Sequence, residues 1–197
     1  MALQYFILYK PYNVLSQFTR ETPQQQTLAD VDFDFPRDAY PVGRLDADSE
    51  GLLLLTNDKS LNDKLLSPKN QHPRTYWVQV EGIPDDDALD RLKKGVSLKI
   101  DGKTFQTQPA QVRLLTPPVQ LPARNPPVRF RKTVPDTWIA LTLTEGKNRQ
   151  VRRMCAAVGF PVLRLVRVKI GALAWGDAIL GEMQPGNVKI IEKADIR

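Results

Sequence analysis

The chain has 197 residues, of which 42% are hydrophobic and 25% are charged, a composition typical of a folded globular protein and not of a disordered one. A single cysteine, Cys155, excludes an internal disulfide framework and suits a reducing cytoplasm, and a lone His72 excludes both a Ser-His-Asp triad and a His-rich metal site. No apolar run approaches the roughly 20 residues that a membrane-spanning helix needs, so we expect no membrane partner.

The net charge of +6 is concentrated in one segment. Between Arg124 and Lys169 there are 11 Lys or Arg residues against 2 Asp or Glu residues, so this segment carries +9 and the rest of the chain −3. Clustered positive charge most often binds nucleic acid, because neutralising phosphates releases condensed counterions. A basic face that only keeps the protein soluble is the alternative.

In chain order, most of the predicted elements are strands. Apolar runs and alternations predict them at residues 3–9, 51–56, 75–82, 96–100, 104–115 and 137–144. The segment 51–56, GLLLLT, is apolar almost throughout, which predicts a strand buried on both faces. Helices are predicted just before Pro68 and over 84–95, where acids lead, lysines follow and Gly95 ends the helix. Residues 116–127 contain five prolines and predict a strand-free loop.

The segment EGKNRQVRRMCAAVGF, residues 145–160, has two stripes at helical spacing. The apolar, core-facing stripe consists of Val151, Met154, Cys155 and Val158. The cationic stripe consists of Arg149, Arg152 and Arg153. The next segment alternates as a strand, with one face formed by Leu163, Leu165, Arg167 and Lys169. Because two cations share this face with two leucines, at least one cation is predicted to lie near a buried edge or cleft.

The segment GRLDADSEGLLLLTND, residues 43–58, places Asp46, Asp48 and Glu50 at alternate positions in a basic protein. These acids could form a metal cage, a catalytic group with its supports, or a solvated turn. Together with Gly51 they resemble the start of a calcium-binding EF-hand loop, but position 12, which must supply a bidentate Glu, is Asn57. The upstream PVGRL cannot be an entering helix, so we reject the calcium interpretation and expect no metal.

Four segments together resemble the RsuA/RluB/RluE/RluF family of bacterial ribosomal RNA pseudouridine synthases. They are KPYNVLSQF at 10–18, GRLDADSEGLLLLTND at 43–58, TYWVQVEG at 75–82 and EGKNRQVRRMCAAVGFPVLRLVRVKIG at 145–171. They occur in the family's order, and the large-subunit enzymes are the most similar members. There are two departures: many members carry an S4-like RNA-binding domain before the first motif, and Asn13 stands where many have Gly. Asn tolerates left-handed backbone angles, so the second departure matters little.

The resemblance implies an α+β fold, with a mixed, mainly antiparallel central sheet, flanking helices and two lobes around a basic catalytic cleft. Residues 1–197 would form a single catalytic domain without a separate S4-like RNA-binding domain. The implied reaction breaks the N1–C1′ bond of a specific uridine and rejoins the base through C5, and it needs no cofactor. The implied partner is ribosomal RNA, in particular 23S rRNA of the large subunit, and we expect a cytoplasmic monomer. The alternative is a non-catalytic RNA-binding or ribosome-assembly factor with the same fold.

The same resemblance implies the catalytic residues. Asp46 corresponds to the family's nucleophile, and attack on the sugar C1′, attack on the base and a glycal route are all compatible with the sequence. Arg152 corresponds to the partner of that carboxylate, and Tyr76 to the aromatic residue that stacks on the target base and relays the C5 proton. Periodicity alone also allows Tyr76 as a core residue of its strand. Arg44 corresponds to the basic residue that enters the RNA helix and replaces the flipped uridine.

The neighbouring residues are expected to support Asp46 or to bind RNA. Asp48 and Ser49 are expected to bind backbone N–H groups in the turn that presents it, Gly51 to permit a close chain approach and Glu50 to be solvated. The RNA-binding candidates, for which a scaffold role is the alternative, are Lys10, Arg149, Arg153, Arg164, Arg167 and Lys169. The cations of the proline-rich loop, which either order on RNA or belong to a plain surface connection, are Arg124, Arg129, Arg131 and Lys132.

Overall fold

The computed structural model describes residues 2–67, 70–117, 119–129 and 133–196. The helices and strands are, in chain order, β1 (Tyr5–Lys10), β2 (Val14–Leu15), β3 (Gln26–Thr27), β4 (Tyr40–Pro41), β5 (Glu50–Thr56), α1 (Lys59–Leu66), β6 (Arg74–Glu81), α2 (Asp86–Lys94), β7 (Ser97–Ile100), β8 (Lys103–Gln106), β9 (Gln111–Leu114), β10 (Asp136–Leu143), α3 (Gln150–Ala157), β11 (Val162–Ile170), β12 (Leu173–Ala174) and β13 (Val188–Ile191). The chain divides into two compact units, one of residues up to His72 and from Val166 onward, the other of Pro73–Leu165. The fold is α+β with mainly antiparallel strand pairing, as predicted.

The first unit is built on antiparallel strands in the order β13–β1–β5. β5 is buried along its whole length, which confirms the prediction from its run of leucines. The end of β11 runs parallel to the start of β5, with Val166 opposite Glu50 and Arg167 opposite Gly51. Four rings in edge-on or tilted contact cover this sheet: Phe6, Phe18, Phe33 and Phe35. β5 is therefore a rigid support for the turn that precedes it.

Asp58 lies at the start of α1 and is buried. Its carboxylate accepts hydrogen bonds from Lys193 Nζ at 2.6 Å and from the Tyr5 hydroxyl at 2.9 Å. It also accepts from the Ser60 backbone N–H at 3.0 Å and the Ser60 hydroxyl at 2.6 Å. The hydrogen bonds from Lys193, then Ser60 and then Tyr5, hold the pKa of Asp58 well below its ordinary value.

We expect Asp58→Asn to destabilise the protein at neutral pH, and this difference to shrink in acid. A depressed carboxyl pKa contributes stability that is present above the ordinary aspartate pKa of about 4 and is lost as the pH falls through the folded-state pKa. Urea unfolding of both proteins between pH 2 and 8 measures the difference. Asp34→Asn, which removes an exposed acid of the same unit, is the control. An Asp58→Asn effect that stays constant down to pH 2 would contradict the charge-based origin.

The second unit pairs β10 antiparallel with both β6 and β9, and β7 with β8 as a hairpin. Helices α2 and α3 contribute to the core that covers this sheet. Helix α2 begins as its acids predict, because the Asp85 side chain accepts a hydrogen bond from the Ala88 backbone N–H at 2.8 Å. The predicted core stripe of α3 is confirmed, since Val151, Met154, Cys155 and Val158 are all buried. Burial raises the pKa of the Cys155 thiol, so this residue is an inert part of the core.

Two details of the sequence interpretation are wrong in this unit. The strand predicted over 104–115 is interrupted, because residues 107–110 leave the β8 hairpin before β9 begins. Thr107 turns the chain by exchanging two hydrogen bonds with Val96, of 3.0 and 2.9 Å. The second error concerns Arg149, which precedes α3 with a left-handed φ of 51° and so does not continue its helical face.

Candidate active site

Asp46 lies in a tight turn of residues 46–49 immediately before β5. The turn is closed by a hydrogen bond from the Ser49 N–H to the Asp46 carbonyl, at 3.0 Å. On the other side of Asp46, Leu45 is buried, and its backbone N–H and carbonyl both bind the Ser16 hydroxyl, at 3.0 and 2.9 Å. The Asp46 side chain is half-buried between these two anchors. The local structure thus fixes the backbone on both sides of the Asp46 carboxylate.

Residues of the KPYNVLSQF segment, 10–18, bind the middle of this turn. Lys10 Nζ donates to the carbonyls of Pro11, Val14 and Ala47, at 2.9, 2.7 and 3.3 Å. The Ala47 carbonyl also accepts a 2.7 Å hydrogen bond from the Asn13 N–H. Asn13 has φ of 61°, so it occupies the left-handed conformation that the Gly-to-Asn difference predicted.

Lys10 is fully buried and all three of its N–H donors bind backbone carbonyls, so the prediction that it contacts RNA is wrong. A lysine beside a turn-forming proline is usually solvated, and the sequence gives no sign that the strand continues into the core at this residue. The pKa of Lys10 is lowered to about 7, chiefly by burial and to a lesser degree by the Arg167 charge. Glu50, Asp48 and Asp46 oppose this shift.

Glu50 is buried, with 1% of its surface exposed, so the prediction that it is solvated is also wrong. It is the first residue of β5, a strand buried on both faces, and therefore has no route to water. Arg167 is 4% exposed, and its Nε donates to the Leu52 carbonyl at 2.7 Å. Lys10, Glu50 and Arg167 together form a buried charge cluster beneath the Asp46 turn. The prediction of a buried cation among Arg167 and its strand neighbours is thereby confirmed, and Arg167 has the scaffold role.

Gly51 permits the close chain approach that was predicted. Its φ is +99°, and a Cβ atom at this position would lie 2.3 Å from the Arg167 carbonyl oxygen and 2.7 Å from the Arg167 nitrogen. The Ser49 side chain behaves differently from the prediction. Its hydroxyl is buried and has no hydrogen-bond partner among the described residues, so only the Ser49 backbone closes the turn. Asp48 is half-buried, and its negative charge raises the pKa of Lys10.

The other two predicted catalytic residues belong to the second unit. Tyr76 lies in β6 and is half-buried: its ring packs against the core cluster, yet part of it remains accessible. The core alternative therefore describes part of its environment, and the catalytic role of Tyr76 stays a prediction. Arg152 in α3 is half-buried as well, and its Nη1 lies 3.4 Å from the Val162 carbonyl.

The predicted RNA-binding arginines differ in accessibility. Arg164 is buried and donates to the Pro122 carbonyl at 2.8 Å, which gives it the scaffold role and not a phosphate contact. Arg153 is partly exposed and donates to the Lys99 carbonyl at 2.7 Å. The candidates on the surface are Arg44, Arg149 and Lys169. In the proline-rich loop, Arg124 donates to the carbonyls of the loop itself at Pro126 and Pro127, Arg129 is exposed, and Arg131 and Lys132 lie outside the described residues.

Within residues 2–67, 70–117, 119–129 and 133–196, no three His, Cys, Asp or Glu side chains converge as metal ligands would. Across the same ranges, no helix is both long and apolar enough to cross a membrane.

Comparison with protein families gives the class of protein that this fold and site belong to. The family described as RNA pseudouridylate synthase matches residues 4–157, and the chain belongs to this family. The matched range contains Asp46, Tyr76 and Arg152, and the family predicted from the sequence motifs is confirmed.

Individual relatives are similar along most of their length. A "Ribosomal large subunit pseudouridine synthase E" of Xanthomonas axonopodis is 58% identical over 84% of this chain and 84% of the relative. A protein of the same name from Xanthomonas campestris is 53% identical over 97% of both chains. The "Ribosomal large subunit pseudouridine synthase B" of Bacillus subtilis is 38% identical over 94% of this chain and 70% of the relative. The type E enzymes are the ones that the sequence motifs resemble most.

Solved structures agree with this assignment. A crystal structure of a pseudouridylate synthase superposes with a TM-score of 0.76 at 29% identity, covering 99% of this chain and 73% of that one. The structure entitled "Human RNA Pseudouridylate Synthase Domain Containing 1" has a TM-score of 0.56 at 15% identity over 85% of this chain and 74% of that one, and supports the fold alone.

Proposed function

We propose that this protein isomerises a specific uridine of 23S ribosomal RNA to pseudouridine, with Asp46 as the catalytic nucleophile. The observation that carries the proposal is the fixed 46–49 turn, which holds the backbone on both sides of the half-buried Asp46 carboxylate within the family motif. A carboxylate suits this reaction because glycosidases use the same group against a developing oxocarbenium centre. The names of the large-subunit relatives support the choice of ribosomal RNA.

The other residues receive roles that match their surroundings. Tyr76 stacks on the target base through the accessible part of its ring, and Arg152 stabilises the reacting carboxylate. Arg44 is exposed, and its hydrogen bond to the Gln17 side chain is long, at 3.4 Å, so it is able to enter the RNA helix in place of the extruded uridine. Arg149, Arg153 and Lys169 contribute phosphate contacts. We further propose that the protein acts in the cytoplasm, as a monomer and as a single catalytic domain.

The direct test is release of tritium from ribosomal RNA labelled at uridine C5. Unmodified large-subunit RNA, free or in ribosomal particles, is incubated with the protein, and small-subunit RNA is the control. We expect release from the large-subunit RNA only, at one equivalent per RNA. Binding without release from any ribosomal substrate would favour a non-catalytic RNA-binding or assembly factor and overturn the proposal.

Replacing Tyr76 by Phe should slow turnover about 100-fold or more while RNA affinity stays close to that of the unaltered protein. Phe keeps the ring that stacks on the base and removes only the hydroxyl that relays the C5 proton, a contribution typical of general acid–base groups. Single-turnover tritium release and filter binding measure the two effects. Tyr12→Phe, on the first motif, is the control for loss of a tyrosine hydroxyl. Full activity in Tyr76→Phe would instead assign Tyr76 to the core.

A further inference from the structure

Glu50 is a buried acid to which the family comparison assigns no role. It lies one residue before the contact between Gly51 and Arg167, and 1% of its surface is exposed. The charged groups that act on the buried Lys10 ammonium are Glu50, Asp48, Asp46 and Arg167, and Glu50 has the largest effect among the acids. A buried carboxylate is costly unless cations balance it, so Glu50 and the two cations depend on one another.

The hydrogen bonds of Lys10 require its protonated form. An ammonium group has three N–H donors, whereas a neutral amine has two. The three acceptors are the carbonyls of Pro11, Val14 and Ala47, and the longest contact, 3.3 Å, is the one to Ala47. Loss of the proton therefore releases the Ala47 carbonyl first. Ala47 directly follows Asp46, so the backbone that carries the nucleophile would lose one of its restraints.

Burial works against this protonated form. Together with the Arg167 charge, it lowers the pKa of Lys10 to about 7, within the range in which the enzyme is expected to act. The three acids raise it, with Glu50 first. Removing the Glu50 charge should therefore let Lys10 lose its proton at a lower pH.

We propose that Glu50 is a positioning residue of the active site: as the buried counter-ion of Lys10, it preserves the third N–H of that side chain and so the restraint on the Asp46 turn. The inference rests on the proposed function, in which Asp46 performs the chemistry. Glu50 is almost fully buried, so its carboxylate is not accessible to RNA. Its charge consequently affects kcat and leaves KM unchanged.

The test is the pH dependence of tritium release between pH 5.5 and 9 for three variants. Activity should fall as the pH rises through the pKa of Lys10, because neutral Lys10 no longer holds the turn. Glu50→Gln, which keeps the shape and removes the charge, should move this alkaline limb to lower pH by about one unit, with a similar rate on its acidic side. Glu50→Asp keeps the charge and should retain the limb of the unaltered protein. Glu182→Gln removes an exposed acid of the same unit and should also leave it in place.

A second measurement separates this inference from the proposed function. NMR of protein labelled at lysine Cε, with Lys10→Met to identify the resonance, gives the pKa of Lys10 without any RNA. We expect a lower value in Glu50→Gln than in the unaltered protein. A uniform loss of kcat without movement of the alkaline limb, or an unchanged pKa of Lys10, would overturn the role of Glu50. If no protein releases tritium but the pKa of Lys10 still shifts, the proposed function fails and the counter-ion role stands.

Discussion

Replacing Asp46 by Asn is expected to reduce tritium release from large-subunit RNA by about 10⁴-fold or more, the size of loss typical of removing an enzyme's nucleophile. The carboxamide fills the same space but cannot form the covalent intermediate. The turn should survive, because the restraints from the Ser49 N–H, the Ser16 hydroxyl and Lys10 are made to main-chain atoms, which the substitution leaves in place. RNA affinity should consequently remain within a few-fold of the unaltered protein.

Asp48→Asn is the matched control, because it removes the same group two residues further along the same turn. We expect Asp48→Asn to lose far less activity than Asp46→Asn, since Asp48 is not the proposed nucleophile and its charge supports the protonated form of Lys10. Single-turnover kinetics and filter binding on one RNA preparation give both quantities. Equal losses of activity in the two variants would show that the reaction depends on the total negative charge of the turn. The assignment of Asp46 as the nucleophile would then be wrong.

Replacing Gly51 by Ala should have the largest effect on stability, about 3 kcal/mol or more in the free energy of unfolding. Two costs add at this position. The φ of +99° is strained for any residue with a Cβ, and that atom would lie 2.3 Å from the Arg167 carbonyl oxygen. The obstacle is backbone, not the end of a flexible side chain, so β5 and β11 would have to separate where they support the Asp46 turn. Urea unfolding measures the change.

Gly186→Ala carries only the first of these costs, so the difference between the two variants measures the second. Gly186 belongs to the same unit and has a similar φ of +91°, but no atom lies within 4 Å of the position that a Cβ would take. We expect Gly186→Ala to lose only the backbone contribution of about 1 kcal/mol. If the two substitutions cost the same, the contact between Gly51 and Arg167 contributes nothing to stability.

Local patterns in the sequence predicted much of this fold. The run of leucines gives β5, the acids and lysines around α2 set its ends, and the apolar spacing in α3 gives its buried stripe. These predictions hold because each depends on residues a few positions apart. The interruption between β8 and β9 was missed because the hydrogen bonds between Thr107 and Val96 join residues that are 11 positions apart in the sequence.

The site residues, too, were predicted only in part from the sequence. The motifs pointed to Asp46 and its family, and Asn13 and Gly51 were recognised from the backbone angles and close contacts that their residue types allow. The burial of Lys10, Glu50 and Arg164 was missed, because charged side chains are ordinarily solvated and sequence spacing gives no measure of depth. Arg167 was the exception, since it alternates with leucines along its strand. That pattern is the only signal in the sequence for the buried charge cluster.

By itself, the sequence determined the family, the order of most of the longer strands and helices and the identity of the candidate nucleophile, because short-range periodicity and motif spacing carry that information. Only the tertiary structure decided which charges face water and which balance each other inside the protein. Asp46, Asp48 and Glu50 look equivalent along the chain, yet Glu50 is sealed at the start of a buried strand. The reason is physical: the cost of burying a charge depends on partners that lie far away in sequence, here Lys10 and Arg167 on neighbouring strands.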